Sequence, residues 1–129
     1  MTGWTEKLYA DFEAKILPTA SFGHRDHLAT AFEALRRYDF VEASATYAGC
    51  IRAMAEKAGA PEKFNATITL AFLSLIAERM AGKAYADFAE FETANPDLAS
   101  MAVLGQWYSK ERMTSPTARK QFLMPDRAA

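Results

Sequence analysis

The chain has little of the chemistry that marks several common functional classes. It holds one cysteine, Cys50, in 129 residues, so neither a disulfide within the chain nor a multi-cysteine zinc site can form. Its 15 basic residues are matched by 16 acidic ones, and this balance lacks the basic excess of a nucleic-acid-binding domain or a polybasic membrane anchor. We therefore expect a protein with neither nucleic acid nor a membrane as a partner.

Long hydrophobic runs and the familiar catalytic motifs are also missing. The longest apolar stretch, ATITLAFLSLIA at residues 66–77, is too short to cross a bilayer. Charged residues occupy the N-terminal segment, where a secretory signal needs an apolar core. The sequence thus predicts a cytoplasmic location. It contains no Gly-rich phosphate loop, no Gly-x-Ser-x-Gly and no His-Glu-x-x-His, so no motif decides whether the protein is an enzyme.

What the sequence does contain is helical periodicity. Half of its residues are hydrophobic, and they recur mostly at three- and four-residue steps, with few segments that alternate as strands do. We predict an all-α fold, a compact bundle of six or seven helices that forms a single domain over residues 1–129. The predicted helices cover about residues 4–16, 24–38, 40–58, 64–81, 84–94, 98–109 and a short segment from 116 that ends before Pro125.

The helix at 64–81 decides where the core lies. Its start, ATITL, alternates apolar residues with threonine and would also suit a strand. The continuation AFLSLIAERM is rich in helix-forming residues, so we favour a helix. Because this segment is apolar almost all round, we expect it to be the central buried helix of the bundle.

The only two histidines, His24 and His27, lie in the first turn of the second predicted helix. A step back of four residues from Leu28 and from Ala31 leads to these two positions, so both imidazoles extend the apolar face. Burial and the free N–H groups of a first helical turn both disfavour the imidazolium ion. We expect two neutral imidazoles that point inward and lie close enough to contact one ligand.

Such a pair supports three interpretations. The histidines are the candidate catalytic residues, an acid/base pair, if any reaction takes place. They are also the candidate metal ligands, although two ligands do not complete a site and no neighbouring segment offers an obvious third. The remaining interpretation is that His24 and His27 are hydrogen-bonded packing residues of the core.

Four further residues are candidates for the same ligand-binding pocket: Asn65, Thr69, Trp107 and Tyr108. If the fourth helix packs beside the second, Asn65 could orient an imidazole and Thr69 could contact a ligand. The alternative is that the threonines bond back to carbonyl groups of the preceding turn. The rings of Trp107 and Tyr108 suit a pocket rim, and they suit ordinary core packing equally well.

Several short motifs together resemble a group of small bacterial all-helical proteins with no established activity. The resemblance spans about residues 22–126, and it implies a helical fold without implying a reaction. In that group a histidine often stands where this chain has Asn65, which implies that the relatives have a third imidazole that this chain lacks. The motifs are F-x-H-x-x-H-L at 22–28, T-I-T at 67–69, N-P-D-L at 95–98, W-Y-S at 107–109 and S-x-x-A-R-x-x-F-x-x-P-D at 115–126.

These observations lead to one main expectation and two alternatives. The main expectation is an internal pocket for a small organic molecule or anion, contacted by His24 and His27. The first alternative is an interaction module, such as a homodimer, because nine Phe, five Tyr and two Trp exceed what one small core needs to bury. The second is a metal-binding protein that uses the histidine pair.

Overall fold

The computed structural model describes residues 3–127. Within this range the chain contains helices and no strand, so the predicted all-α class is confirmed. Four short 3-10 segments lie at Thr19–Ser21, Pro61–Lys63, Pro96–Ala99 and Met101–Gln106. The α-helices of the described part are α1 (Trp4–Glu13), α2 (His24–Arg37), α3 (Phe40–Lys57), α4 (Ala66–Ala81), α5 (Phe88–Ala94), α6 (Lys110–Met113) and α7 (Pro116–Lys120).

Side-chain caps fix where the long helices begin. The Asp39 carboxylate accepts a hydrogen bond from the Glu42 N–H at 2.9 Å, and the Asn65 amide oxygen accepts one from Ile68 N–H at 2.9 Å. Each bond satisfies one of the free N–H groups of a first helical turn. The predicted helices at 24–38, 40–58 and 64–81 are therefore confirmed to within two residues at each end.

Helix α1 ends at Glu13, three residues earlier than predicted. Lys15 has a φ of 61°, in the left-handed region that usually follows a helix end. The Ile16 N–H reaches back to the Asp11 carbonyl at 3.1 Å, which closes the helix. The apolar residue Ile16 suggested a longer helix, but backbone closure ended it.

Two predictions in the middle of the chain are wrong. The helix expected at 84–94 begins only at Phe88, because the Asp87 side chain caps it. The α-helix expected at 98–109 does not form; that stretch makes two 3-10 segments instead. Ser100 separates them, since its backbone is extended and its hydroxyl accepts from the Ala102 N–H, which starts a new turn.

The C-terminal segment is extended where a longer helix was predicted. Helix α7 ends at Lys120, and residues 121–127 form a strap across α4 and the 3-10 segment Met101–Gln106. The buried Thr67 hydroxyl holds the strap by donating to the Gln121 carbonyl at 2.7 Å and accepting from Leu123 N–H at 3.0 Å. These two bonds replace the helical bonds that the strap lacks.

Helices α2 and α4 share the centre of the bundle. Helix α4 lies in the core as predicted, in contact with α2, α3 and α7. Helix α2 is buried at least as thoroughly, since every residue of 28–34 is buried, including Glu33. Glu33 is compensated by the Thr5 hydroxyl at 2.9 Å and by Arg36 at 3.6 Å. Packing of α2 against α4 places the histidine turn beside the start of α4.

Over 3–127, no helix combines the length and the apolar character that a membrane span requires.

Candidate functional site

The first turn of α2 brings both histidines to the inward side of the helix. The Asp26 carboxylate accepts from the Gly23 N–H at 2.9 Å and so fixes the start of the helix one residue before His24. Both side chains are partly buried. The predicted rotation of the histidine turn toward the interior is therefore what the structure shows.

His24 has a structural contact that limits its availability. Its Nε2 lies 2.8 Å from the Leu98 carbonyl oxygen, and because a carbonyl only accepts, Nε2 carries the proton and donates. The ring packs against Phe72 with centroids 5.3 Å apart. His24 thus joins the start of α2 to the segment Pro96–Ala99.

His27 has a different environment. Its ring meets the edge of Phe22, with centroids 4.7 Å apart, and its Nδ1 lies 3.5 Å from the Tyr47 hydroxyl. Tyr47 donates to the His27 carbonyl at 3.2 Å. Burial, and to a lesser degree the neighbouring His24, lowers the pKa of His27 from 6.5 to about 4, while Asp26 acts in the opposite direction. His27 is therefore neutral at pH 7.

Two cavities that share four lining residues lie against His27; we call them the outer and inner lobes of the histidine cavity. The inner lobe, of about 160 Å³, has three buried side chains in its wall, Tyr47, Thr69 and Phe72. The outer lobe, of about 380 Å³, opens to solvent. The four lining residues that the two lobes share are His27, Ile51, Lys63 and Phe64.

The electrostatics of the histidine cavity are simple. Among the described residues that line either lobe, Lys63 is the only one with a charged side chain. It is exposed at the mouth and takes part in none of the ion pairs found within residues 3–127. The other walls are mostly apolar, and the imidazole is neutral. The cavity therefore offers one positive charge at the entrance of an apolar space.

Asn65 and Thr69 line the inner lobe, but only Thr69 is free to act there. The Asn65 amide is committed twice, since its oxygen caps α4 and its nitrogen donates to the Met113 carbonyl at 2.7 Å. The expectation that Asn65 orients an imidazole is therefore wrong. Thr69 is 9 % exposed, and its hydroxyl makes no hydrogen bond within the described part of the chain.

Trp107 and Tyr108 do not share this cavity. They line a second one, of about 240 Å³, together with Leu104, with Phe122 and Pro125 of the strap and with one face of α4. We call it the tail cavity. The sequence suggested a single pocket, and this is corrected: the strap holds Trp107 and Tyr108 on another face of α4.

Sequence reasoning missed most walls of the histidine cavity. Tyr47, Ile51 and Met54 lie one helical turn apart on α3, and this spacing could have marked them as a face turned toward α2. Lys63 and Phe64 lie in the short link between α3 and α4, where no periodic pattern reveals direction. Only the packing of α3 beside α2 and α4 brings these residues to His27.

The metal interpretation finds no third ligand in the structure. Over residues 3–127, no three side chains among His, Cys, Asp and Glu come together as a possible metal site. Cys50 is buried in the core, and burial raises the pKa of its thiol, so it behaves as a small apolar residue.

Self-association stays a prediction. The large apolar side chains that are exposed in the described part lie on α1, in the loop after it, at the start of α3 and on the strap: Trp4, Ile16, Phe40, Val41, Phe122 and Met124.

Comparisons with known proteins add no family to this description: no protein-family model matches the chain, and neither a curated protein nor a solved structure matches it significantly.

Proposed function

We propose that the protein binds a small amphiphilic organic anion in the histidine cavity. The apolar body of the ligand occupies the inner lobe, and its anionic group lies at the mouth beside Lys63. The observation that carries this proposal is one ammonium group, which takes part in no ion pair within residues 3–127, on the wall of an otherwise uncharged, largely apolar cavity. Most small-molecule sites combine apolar walls with a few polar groups in this way.

The inner lobe favours a hydrocarbon or aromatic body. Phe72, Ile68 and Met101 supply apolar wall, and the side chain of Met adapts to the shape of its neighbour. The volume of about 160 Å³ corresponds to about five water molecules at their volume in the liquid. A single ring or a short alkyl chain fits this space.

The polar groups of the cavity have separate roles in this proposal. Lys63 supplies the charge, because His27 is neutral at pH 7 and neither attracts nor repels an anion strongly. The Thr69 hydroxyl and the His27 ring can each accept or donate one hydrogen bond to the body of the ligand. The expectation that His24 also contacts the ligand is not kept, because its ring donates to the Leu98 carbonyl.

Benzoate and its uncharged isostere benzamide test the proposal. The experiment is a titration of the full chain followed by amide NMR shifts, read at Ile51, Ile68 and Thr69. We expect benzoate to bind about fivefold more tightly than benzamide, since an exposed ion pair contributes about 1 kcal/mol. Equal affinity for the two compounds, or no shifts around His27, would contradict the proposal.

A matched pair of lysine variants assigns the charge. Lys63→Met should reduce benzoate affinity about fivefold, to the level of benzamide. Lys57→Met removes an exposed lysine from the end of α3 and should leave the affinity unchanged. An equal loss in both variants would show a general charge effect and not a site at Lys63.

A further inference from the structure

The tail cavity is a second candidate site, and neither histidine is one of its lining residues. It faces Ala71, Ser74, Leu75 and Glu78 of α4, whereas the histidine cavity faces Asn65, Ile68, Thr69 and Phe72. Each set recurs at three- and four-residue steps, and the two sets lie on different faces of the helix. The tail cavity is therefore separate from the histidine cavity.

Three aromatic side chains, Trp107, Tyr108 and Phe122, form walls of the tail cavity. Phe122 is 42 % exposed and Trp107 is partly exposed, so both rings have surface available to a ligand. The faces of aromatic rings carry partial negative charge.

Hydrogen bonds of the strap hold these walls in place. The Tyr108 hydroxyl donates to the Leu123 carbonyl at 2.8 Å, and the Arg127 N–H donates to the Trp107 carbonyl at 2.9 Å. The Arg127 guanidinium also donates to the Gly105 carbonyl at 2.7 Å. The ring arrangement is thus set before a ligand arrives, which lowers the entropy cost of binding.

Among residues 3–127, the only charged side chain that lines the tail cavity is the carboxylate of Glu78. Glu78 is exposed and takes part in none of the ion pairs found within residues 3–127. The neighbouring Arg79 is held by Asp97 at 2.7 Å and is not one of the lining residues. The lining of the tail cavity therefore combines three aromatic side chains with one carboxylate.

We infer that the tail cavity binds a small organic ammonium ion, with the cation against the aromatic faces and its charge balanced by Glu78. Aromatic faces attract alkylammonium groups, and a nearby carboxylate adds to that attraction. The cavity, of about 240 Å³, corresponds to about eight water molecules at their volume in the liquid, which suits a methylated ammonium head with a short arm. The inference is independent of the anion site.

Choline and its uncharged carbon isostere, 3,3-dimethylbutan-1-ol, test the inference. Trp4→Phe leaves Trp107 as the single tryptophan, so the fluorescence of the full chain reports on the tail cavity. We expect choline to change this fluorescence saturably, with a Kd about tenfold lower than that of the alcohol. Equal affinities would overturn the inference, and so would a fluorescence that choline leaves unchanged.

Two glutamate variants in the same Trp4→Phe background assign the charge. Glu78→Gln keeps the shape and should weaken choline binding about fivefold without a change in the affinity for the alcohol. Glu56→Gln removes an exposed carboxylate from α3 and should leave choline binding unchanged. Choline affinity that is the same in Glu78→Gln as in the parent would overturn the role of the carboxylate.

Discussion

The histidine cavity and the tail cavity lie on two faces of one helix, yet their charges are opposite. In the first, Lys63 is the only charged residue of the walls, and in the second it is Glu78. Helix α4 is apolar almost all round, so it provides wall for both. The charge at each site comes from a single lining residue, and in both of our proposals this residue selects the class of ligand.

The two histidines also have different environments, although they are only three residues apart. Both project inward from the first turn of α2, but His24 donates to a backbone carbonyl while His27 lines a cavity. Both residues are histidines, and both lie on the inward face of α2. What differs is the segment packed against each ring, the 3-10 segment Pro96–Ala99 for His24 and helix α3 for His27.

The largest expected effect is the contribution of His27 to the pH dependence of the free energy of unfolding. The unfolded chain protonates His27 near pH 6.5, whereas the folded protein does so only near pH 4. Protonation of His27 therefore leaves the free energy of unfolding unchanged above pH 6.5 and lowers it progressively as the pH falls toward 4. Between pH 7 and 4.5 we expect a loss of about 2.5 kcal/mol from this group.

Urea unfolding of the wild type and of His27→Gln at both pH values measures this loss. The stability of His27→Gln should fall by about 2.5 kcal/mol less than that of the wild type over this range. Any constant cost of the substitution cancels in that difference, as do the other titrating groups. The same pH dependence in both proteins would mean that His27 is readily protonated and that its ring is solvated in the folded protein.

An intermediate effect is expected where the strap meets α4. Thr67→Val removes both bonds to the strap and should lower the free energy of unfolding by about 2 kcal/mol, because two backbone groups lose their partner. It should also weaken choline binding and leave benzoate binding unchanged, since Phe122 lies between the two bonded residues.

Thr69→Val is the matched control for that variant. It lies two residues along the same helix, and its hydroxyl has no partner within residues 3–127. We expect a change in stability below about 0.5 kcal/mol. A larger loss in Thr69→Val than in Thr67→Val would show that the strap is not held as described.

Among the side chains that make a hydrogen bond, the smallest expected effect on stability is that of His24. His24→Leu removes the bond to the Leu98 carbonyl and should cost about 1 kcal/mol in thermal or urea unfolding. Benzoate affinity should not change, because His24 lies on neither lobe of the histidine cavity. Weaker benzoate binding in this variant would restore His24 to the ligand site.

The sequence was informative where a local interaction sets the structure. Asp39 caps α3 at the boundary that the sequence predicted, and the inward rotation of His24 and His27 followed from helical periodicity. The sequence was uninformative where contacts with distant segments determine the position of a side chain. Nothing local to Asn65 shows that its amide will reach the Met113 carbonyl, and nothing local to Trp107 shows that a strap will hold it. The all-α class was therefore predictable, and the division into two cavities was not.

One measurement tests the central claim that opposite charges divide two cavities along α4. Amide NMR shifts of a single labelled sample are recorded with benzoate, then with choline, then with both. We expect benzoate to shift Ile51, Ile68 and Thr69, choline to shift Trp107, Tyr108 and Phe122, and the two sets to add without interference. Benzoate and choline that shift the same residues, or that compete, would contradict the account.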